Sequence, residues 1–405
     1  MKKSGIEPVP GGTVTAPRGF VAGATHAGVK KDASVLDLGI LYSEAPCALA
    51  VLLTTNKVKS APTLLNQQRA KRRRAVALIA NSGCANASTG QQGMADAREM
   101  AELAAKAVGT EPEDVLVCST GTIGKRLPMP SIRQAVGKIA LAADGGHDFA
   151  RAIMTTDRVP KEFAVTATDG DITFTVGGVA KGSGMIHPDL ATMFGFVTTD
   201  AAVEPAFLDK ALRRAVNMSF NMVSVDGDTS PSDTVAVLAN GLAGNPPING
   251  KGRLGRLFQQ ALDQVCVYLA KWIARDGEGA TKLIEVTVTG AKTVADARLA
   301  ARTVVNSSLV KTAVHGADPN WGRIVAAVGR SGAQVIESGI DVDIGDVAVM
   351  RGGAPQSYAE ADVVKVFKQA EVPIGVCLNL GRGRATAWGC DLSAEYVKIN
   401  SEYMT

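Results

Sequence analysis

The sequence predicts a layered α/β protein of the α+β type, in which mainly antiparallel sheets are flanked by helices. Apolar runs of strand length, such as residues 75–82, alternate with amphipathic helical patterns, such as residues 93–109. Residues 162–178 read as a hairpin with the turn letters DGD between its strands. A chain of 405 residues, 46% of them hydrophobic, can bury a large core, and we expect two lobes or domains. This mixture of hairpins and helices favours antiparallel sheets over a regular βαβ series.

The individual elements follow from local patterns along the chain. Runs rich in apolar and β-branched residues predict strands at 47–56, 75–82, 114–124, 282–290 and 373–383, besides the hairpin. Apolar residues at helical spacing predict helices at 93–109, 204–218, 253–277 and 294–310.

The charge balance excludes several classes of partner. The chain has 43 Lys and Arg against 39 Asp and Glu, a net charge of +4, which is too small to indicate a nucleic-acid or membrane partner. Its densest basic run, RAKRRRA at 69–75, has no interleaved aromatic residue that could stack on bases. No uninterrupted apolar stretch approaches 18 residues, and the first residues lack a signal-type apolar core. We therefore expect a cytoplasmic protein.

Metal and dinucleotide sites have little support in the sequence. The six cysteines are scattered without a CxxC spacing, so we expect reduced, mostly buried thiols and no metal. The letters GKGRLG at 250–255 match a dinucleotide-binding fingerprint, but they follow a loop, and the fingerprint needs a strand before its turn. We expect no cofactor.

The stretch KGSGMIHPDLATMFGFVTTD at 181–200 offers a more specific chemistry. A threonine hydroxyl is a poor nucleophile without a base, and cleavage just before Thr192 would supply one. The new α-amine, with an ordinary pKa of about 7.7–8.0, would sit on the same residue as the hydroxyl. The flanking glycines permit the strained backbone that such self-cleavage requires. An ordinary glycine-rich loop that enters a strand is the alternative interpretation of the same letters.

A second stretch offers groups that could stabilise an oxyanion. In CSTGTIG at 118–124, Gly121 permits close approach to its backbone N–H, and Thr120 carries a hydroxyl. Purely structural turns also contain these residues, so the presence of this turn together with Thr192 is by itself weak evidence for a catalytic site.

Several blocks in a fixed order give the sequence a family resemblance. The segment AKGSGMIHPDLATM resembles the self-processing segment of the ornithine acetyltransferase family of arginine biosynthesis. Further blocks, which together span nearly the whole chain, resemble that family in its own order: NSGCANASTG (81–90), STGTIG (119–124), MTTD (154–157), VDGDTSPSDT (225–234), RDGEGATK (275–282), VKTAVHGADPNWGRI (310–324) and AWGCDLSAEYVKINSEYMT (387–405).

The resemblance implies a self-processed enzyme with a fold similar to that of N-terminal-nucleophile enzymes. Cleavage between Ala191 and Thr192 would give an α chain (1–191) and a β chain (192–405), which remain intertwined and pair as an α2β2 heterotetramer. The enzyme would move an acetyl group from N2-acetylornithine to L-glutamate through an acetyl-threonine intermediate, with no metal or organic cofactor. Some members also use acetyl-CoA as donor, and the sequence leaves open whether this chain does.

The resemblance also assigns the site residues. Thr192 would be the nucleophile, with Thr120 and Gly121 as oxyanion donors. The substrate contacts would come from Thr192 itself and from Thr155 (with Thr156 as its rival), Lys181, Glu278, Asn400 and Thr405. A cation such as Lys181 suits a substrate carboxylate, and Glu278 suits a substrate ammonium.

Two departures from the family pattern are visible. Cys84 and Ser88 stand in NSGCANASTG where the family usually has NSGNANACTG, and Pro231 and Ser232 replace a more polar pair. Neither departure falls on the predicted nucleophile or oxyanion positions, so rate, substrate preference or subunit contacts are the properties that could differ. Two other functions are alternatives for this sequence: a related N-terminal-nucleophile aminopeptidase, which would release amines to water, and a non-enzymatic binding module.

Overall fold

The computed structural model describes residues 4–187 and 193–402, and these residues form sixteen strands and eleven α-helices. The strands, in chain order, are β1 Ser4–Pro8, β2 Phe20–Thr25, β3 Leu38–Leu53, β4 Arg74–Cys84, β5 Val115–Thr122, β6 Lys161–Asp169, β7 Ile172–Lys181, β8 Phe194–Thr199, β9 Val223–Ser224, β10 Thr234–Ala239, β11 Leu283–Ala291, β12 Asp341–Ile344, β13 Val347–Arg351, β14 Ala354–Pro355, β15 Glu371–Cys377 and β16 Gly383–Cys390.

The helices connect and cover these strands. In chain order they are α1 Ala61–Arg69, α2 Gly90–Val108, α3 Met129–Val136, α4 Gly146–Ala152, α5 Pro205–Met218, α6 Gly252–Arg275, α7 Val294–Val305, α8 Ser308–Gly316, α9 Gly322–Gly329, α10 Glu360–Phe367 and α11 Ala394–Glu402.

The strands form two sheets within the described part of the chain. The first has the order β1-β6-β7-β8-β10-β3-β4-β5, with β2 paired to β3 outside this path. The second has the order β14-β13-β12-β15-β11-β16-β9. The layered α/β class is confirmed, and the structure adds that four strand pairs run parallel: β4/β5, β8/β10, β11/β15 and β9/β16.

Helix α6 joins the two sheets into one core. It packs against β6 and β7 of the first sheet and against β9, β11 and β16 of the second. Its buried stripe includes Phe258, Leu262, Val265, Leu269 and Ile273, each fully buried. The apolar period near 3.6 residues that predicts this helix therefore marks its buried face.

The predicted helix over 294–310 is two helices. The first ends at Val305, Asn306 caps it, and the second begins at Ser308. Asn306 and Ser307 are residues whose short polar side chains favour helix ends, and apolar spacing alone did not reveal this break.

The thiols are as predicted: five of the six cysteines are buried and unpaired, and Cys377 is half-buried. In the described ranges, none of the helices is both long and apolar enough to cross a membrane.

Candidate active site

A cleft of about 250 Å³ collects the predicted polar residues from distant parts of the chain. Its walls come from the ends of β5 and β7, the start of β8, the loop before β10, the loop after α6, and α11. The predicted site residues that line it are Thr120, Gly121, Thr155, Thr156, Lys181, Glu278 and Asn400. Both Thr155 and its rival Thr156 face the cleft.

Three predicted positions, Ala191, Thr192 and Thr405, lie outside the described residues. The described chain resumes at Met193, which lines the cleft together with Phe194, the first residue of β8. In sequence, Thr192 is thus two positions before β8, a strand whose first residue lines the cleft.

Gly121 holds β5 close against its neighbour β4. Its φ is +123°, which residues with a side chain rarely adopt. A Cβ at this position would collide with the backbone of Gly83 and lie 2.7 Å from the backbone nitrogen of Cys84. Cys84, one of the departures from the family pattern, therefore contributes its backbone to this close approach.

Lys181 and Thr120 connect two strands that are far apart in the sheet order. The Nζ atom of Lys181, at the end of β7, donates to the Oγ1 atom of Thr120 on β5 at 3.2 Å. Because β8, β10, β3 and β4 lie between them in the sheet, the sheet must curl to bring them together. Burial lowers the pKa of Lys181, although the carboxylate of Asp157 opposes this effect.

A buried ion network underlies the cleft, and we call its members Lys161, Asp157 and Asp276 the Lys161 network. The Nζ atom of Lys161 donates to Asp157 at 2.6 Å and to Asp276 at 2.7 Å. Asp157 also accepts from the backbone N–H of Thr155 at 3.0 Å and of Gly182 at 2.7 Å. Burial alone would raise the pKa of Asp157, but the charges of Lys161 and Lys181 and these hydrogen bonds hold it well below its usual range. The network therefore fixes the backbone at Thr155 and at Gly182, the residue after Lys181.

Glu278 is held between the segment after β7 and helix α11. Its backbone N–H donates to the carbonyl of Ser183 at 2.9 Å. Its Oε2 atom accepts from the Nδ2 atom of Asn400 at 2.8 Å. A Cβ on Gly184 would overlap the Glu278 carboxylate, so this close approach requires glycine. Asn400 and Glu278, predicted separately as substrate contacts, are direct partners.

The backbone just before residue 188 is clamped by the loop that follows β9. Asp226 accepts from the N–H of Met185 at 2.6 Å and of Ile186 at 2.9 Å. Met185 has a left-handed φ of +55°, an uncommon value for a residue with a side chain. The N–H of Val225 also donates to the carbonyl of Ile186 at 2.7 Å. The stretch that leads to the predicted cleavage point is thus held in an unusual backbone conformation.

The loop before β10 forms the opposite wall, and it contains the second departure from the family pattern. Pro231, Ser232 and Asp233 line the cleft. Among the described residues, the buried Oγ atom of Ser232 and Oδ2 atom of Asp233 have no hydrogen-bond partner. Burial raises the pKa of Asp233 well above its usual value, against the opposing effects of Ser230 and the Lys181 charge. The departure at 231–232 therefore changes the wall of the cleft itself.

Five charged residues that build or line this site were not predicted from the sequence: Asp157, Lys161, Asp226, Asp233 and Asp276. Four of them lie within the blocks MTTD, VDGDTSPSDT and RDGEGATK, where an acidic residue beside glycine or threonine is a usable signal. The sequence around Lys161 does not indicate a role in the site, because a lysine at the start of a strand is common. Within the part of the chain that the structure describes, no group of three or more His, Cys, Asp or Glu side chains could hold a metal ion.

The fold and the cleft define an α/β enzyme whose active site suits a small, charged substrate. A single small cleft combines a buried lysine, a carboxylate bonded to an amide, and a threonine–glycine pair at a strand end. The ArgJ family model matches residues 21–405. This chain belongs to the ArgJ family.

Individual relatives agree with this assignment. The chain is 52% identical over 404 residues to the arginine biosynthesis bifunctional protein ArgJ of Dehalococcoides mccartyi, covering 100% of each chain. It is 53% identical over 397 residues to the ArgJ protein of Symbiobacterium thermophilum, covering 97% of this chain and 99% of that one. A crystal structure of ArgJ from Bacillus halodurans is 47% identical with a TM-score of 0.51, and covers 52% of this chain and 100% of its own.

These comparisons confirm the predicted family and the prediction of an acetyltransferase-type enzyme of arginine biosynthesis. The alternative of a non-enzymatic binding module is therefore wrong.

Proposed function

We propose that this chain cleaves itself before Thr192 and then transfers an acetyl group from N2-acetylornithine to L-glutamate by a ping-pong mechanism. The observation that carries the proposal is the gathering of Thr120, Gly121, Lys181, Glu278 and Asn400 around one cleft, beside the strand that follows Thr192 in sequence. The names of the ArgJ relatives support the same class of reaction.

Self-cleavage would proceed through an ester. The Thr192 hydroxyl oxygen attacks the carbonyl carbon of Ala191, the peptide C–N bond breaks, and the nitrogen takes up the hydroxyl proton. Water then hydrolyses the ester, which leaves a carboxylate on Ala191 and a free α-amine and hydroxyl on Thr192. Two observations support this step: the Asp226 clamp holds Met185 in an unusual conformation, and the Bacillus halodurans chain matches over its whole length yet covers half of this one.

The first half of the transfer forms an acetyl-enzyme. The α-amine of Thr192 takes the proton of its own hydroxyl, whose oxygen attacks the acetyl carbonyl carbon of N2-acetylornithine. Negative charge then develops on the acetyl oxygen, and Thr120 and Gly121 are the proposed donors that stabilise it. The C–N bond breaks, the leaving nitrogen takes the proton from the α-amine, and ornithine departs.

The second half returns the enzyme to its starting state. The neutral amine of glutamate attacks the acetyl ester, and the same two donors hold the new oxyanion. The C–O bond to Thr192 breaks, the threonine oxygen recovers a proton by way of the α-amine, and N-acetylglutamate leaves. Atoms balance without a metal or organic cofactor.

Substrate recognition would use the charged walls of the cleft. We assign the substrate carboxylate to Lys181. This buried lysine lines the cleft, and its Nζ atom donates to Thr120, which lines the cleft as well. We assign the substrate ammonium to Glu278, which Asn400 orients. Thr155, whose N–H is bonded to Asp157, and Thr405 complete the proposed contacts. Use of acetyl-CoA as a second donor and assembly as an α2β2 heterotetramer in the cytoplasm belong to the same proposal.

The proposal is tested by following the purified protein on a denaturing gel and by mass spectrometry. We expect two fragments, 1–191 and 192–405, and N-terminal sequencing of the second should begin TMFGF. A pulse of N2-acetylornithine should add one acetyl group to Thr192, and chasing with glutamate should remove it. Thr192→Ala should stop cleavage and transfer, because no hydroxyl remains for either. An active protein that stays intact on the gel would contradict the proposal.

The same preparation distinguishes the remaining alternatives. Acetylation of glutamate from acetyl-CoA, without acetylornithine, would show the second donor. Release of free acetate faster than formation of N-acetylglutamate would favour the aminopeptidase-like hydrolase instead.

A further inference from the structure

We propose that Asp233 accepts a hydrogen bond from a protonated amine inside the cleft. This inference rests on the function proposed above and adds Asp233 to the residues of the active site. Asp233 lines the cleft, is 3% exposed, and its Oδ2 atom has no hydrogen-bond partner among the described residues. The neighbouring residue Ser232 lines the same wall, and its buried Oγ atom also has no hydrogen-bond partner among the described residues.

An unpartnered buried carboxylate oxygen is costly, and the cost calls for a functional explanation. Buried polar groups are nearly always hydrogen-bonded, and a buried carboxylate needs a partner more than most. Asp157, in the same region, shows what a structural carboxylate looks like, since both of its oxygens accept hydrogen bonds. Asp233 differs from it: Ser230 hydrogen-bonds to this carboxylate, but the buried Oδ2 atom has no partner in a residue that lines the cleft.

The missing partner is best supplied by a cationic nitrogen. An ionised carboxylate only accepts hydrogen bonds, and its strongest partners are charged N–H donors. Lys181 is close enough to influence Asp233 electrostatically, but its Nζ atom donates to Thr120, and no bond between the two side chains is present in the described structure. An amine that enters beside Asp233 would satisfy it.

Two amines are available in the proposed reaction. One is the ammonium group of an amino-acid substrate. The other is the α-amine that cleavage before Thr192 would create. The N–H of Thr234 donates to the carbonyl of Met193 at 3.0 Å. This bond joins the residue after Asp233 to the residue after Thr192. Either amine would supply the charged N–H donor that the Oδ2 atom of Asp233 lacks.

The test compares Asp233→Asn with the wild-type enzyme in steady-state kinetics over a range of pH. Asparagine keeps the shape but removes the charge. If the amine belongs to the substrate, the KM for N2-acetylornithine should rise about tenfold or more, with kcat little changed.

If the amine is that of Thr192, kcat should fall about tenfold or more with KM little changed. A neighbouring carboxylate raises the pKa of an amine, so its loss lowers that pKa. The base must be neutral to act, and the acidic limb of the kcat/KM profile should therefore move to lower pH.

Controls separate this role from a structural one. Asp263→Asn removes another buried carboxylate with a raised pKa, on α6 and away from the cleft, and should leave KM, kcat and the pH profile unchanged. In the uncleavable Thr192→Ala background, Asp233→Asn should leave the Tm at pH 7 equal or higher, because an uncompensated buried charge is removed. Asp233→Ala gives a second variant if the asparagine protein folds poorly.

Wild-type protein that neither cleaves nor transfers acetyl would overturn the proposed function, whatever Asp233 does. An active wild type whose Asp233→Asn form has the same KM, kcat and pH profile would overturn this inference alone. A large drop in Tm with unchanged kinetics would do so as well, since it would make Asp233 a structural residue.

Discussion

Two buried lysines lie near each other at this site, and they differ in how completely their charges are paired. Lys161 is 1% exposed and donates to two carboxylates, Asp157 and Asp276. Lys181 is 7% exposed, donates to the hydroxyl of Thr120, and has the incompletely bonded Asp233 in its electrostatic neighbourhood. The first lysine belongs to a closed ion network, and the second faces a cleft with spare hydrogen-bonding capacity.

The difference teaches how burial can serve stability in one place and chemistry in another. In the Lys161 network, ion pairs and backbone N–H groups compensate the carboxylates, and the pKa of Asp157 is lowered. Across the cleft, burial dominates, so the pKa of Asp233 is raised and the pKa of Lys181 is lowered. Groups whose pKa values are displaced toward neutrality by burial are typical of sites that bind or react.

The largest effect on stability is expected from Lys161→Met. Methionine fills a similar volume but leaves Asp157 and Asp276 as buried charges without their shared cation. Breaking such a pair costs about 3–5 kcal/mol in the free energy of unfolding. Urea denaturation in the Thr192→Ala background, which keeps the protein as one chain, measures the loss.

Adding Asp157→Asn to Lys161→Met gives the matched control, because it removes the carboxylate charge of Asp157, while Asp276 keeps its ion pair with Arg158. We expect the double variant to recover part of the lost stability. Equal stability of wild type and Lys161→Met would show that the network does not hold the structure.

An intermediate effect, on activity rather than stability, is expected from Lys181→Met. A hydrogen bond to a charged group contributes about 1.5–3 kcal/mol, so the KM for N2-acetylornithine should rise roughly tenfold to a hundredfold. The free energy of unfolding should change by about 1 kcal/mol or less, since burial already disfavours this charge. Kinetics of the cleaved enzyme and urea denaturation of the Thr192→Ala form measure the two quantities.

Lys181→Arg keeps the charge and should recover part of the binding. If Lys181→Met instead unfolds as easily as Lys161→Met, the two lysines play the same structural role and the comparison fails.

The smallest effect is expected from Asn400→Ala. It removes one donor to Glu278 and leaves that carboxylate in place, so we expect a loss of about 1 kcal/mol, or roughly a fivefold rise in KM. Self-cleavage should continue, because the Asp226 clamp acts on the backbone of Met185 and Ile186, whereas Asn400 bonds to Glu278. Asn400→Asp, which puts a second carboxylate beside Glu278, should raise KM further, and an unchanged KM in both variants would remove Asn400 from the site.

Much of the fold was predictable because its signals are local. The strand runs at 75–82 and 114–124 and the hairpin at 162–178 appear as β4, β5, β6 and β7, with ends within a few residues. Helices 204–218 and 253–277 appear as α5 and α6 for the same reason. The break at Asn306 was not predicted, since apolar periodicity continues through it and capping decides the boundary.

By itself the sequence determined the family, the order of its motif blocks and several of the residues that line the cleft, because such blocks are readable without coordinates. Only the tertiary structure decided how those side chains are paired. Lys161 begins β6 and Lys181 ends β7, and their different roles depend on partners as distant as Asp276 and Thr120. The curl of the first sheet brings β5 to β7, and the close approach at Gly184 puts Glu278 against the cleft. Hydrogen bonding and burial depend on the path of the whole chain, so no local pattern could show that both carboxylate oxygens of Asp157 are hydrogen-bonded and that the Oδ2 atom of Asp233 is not.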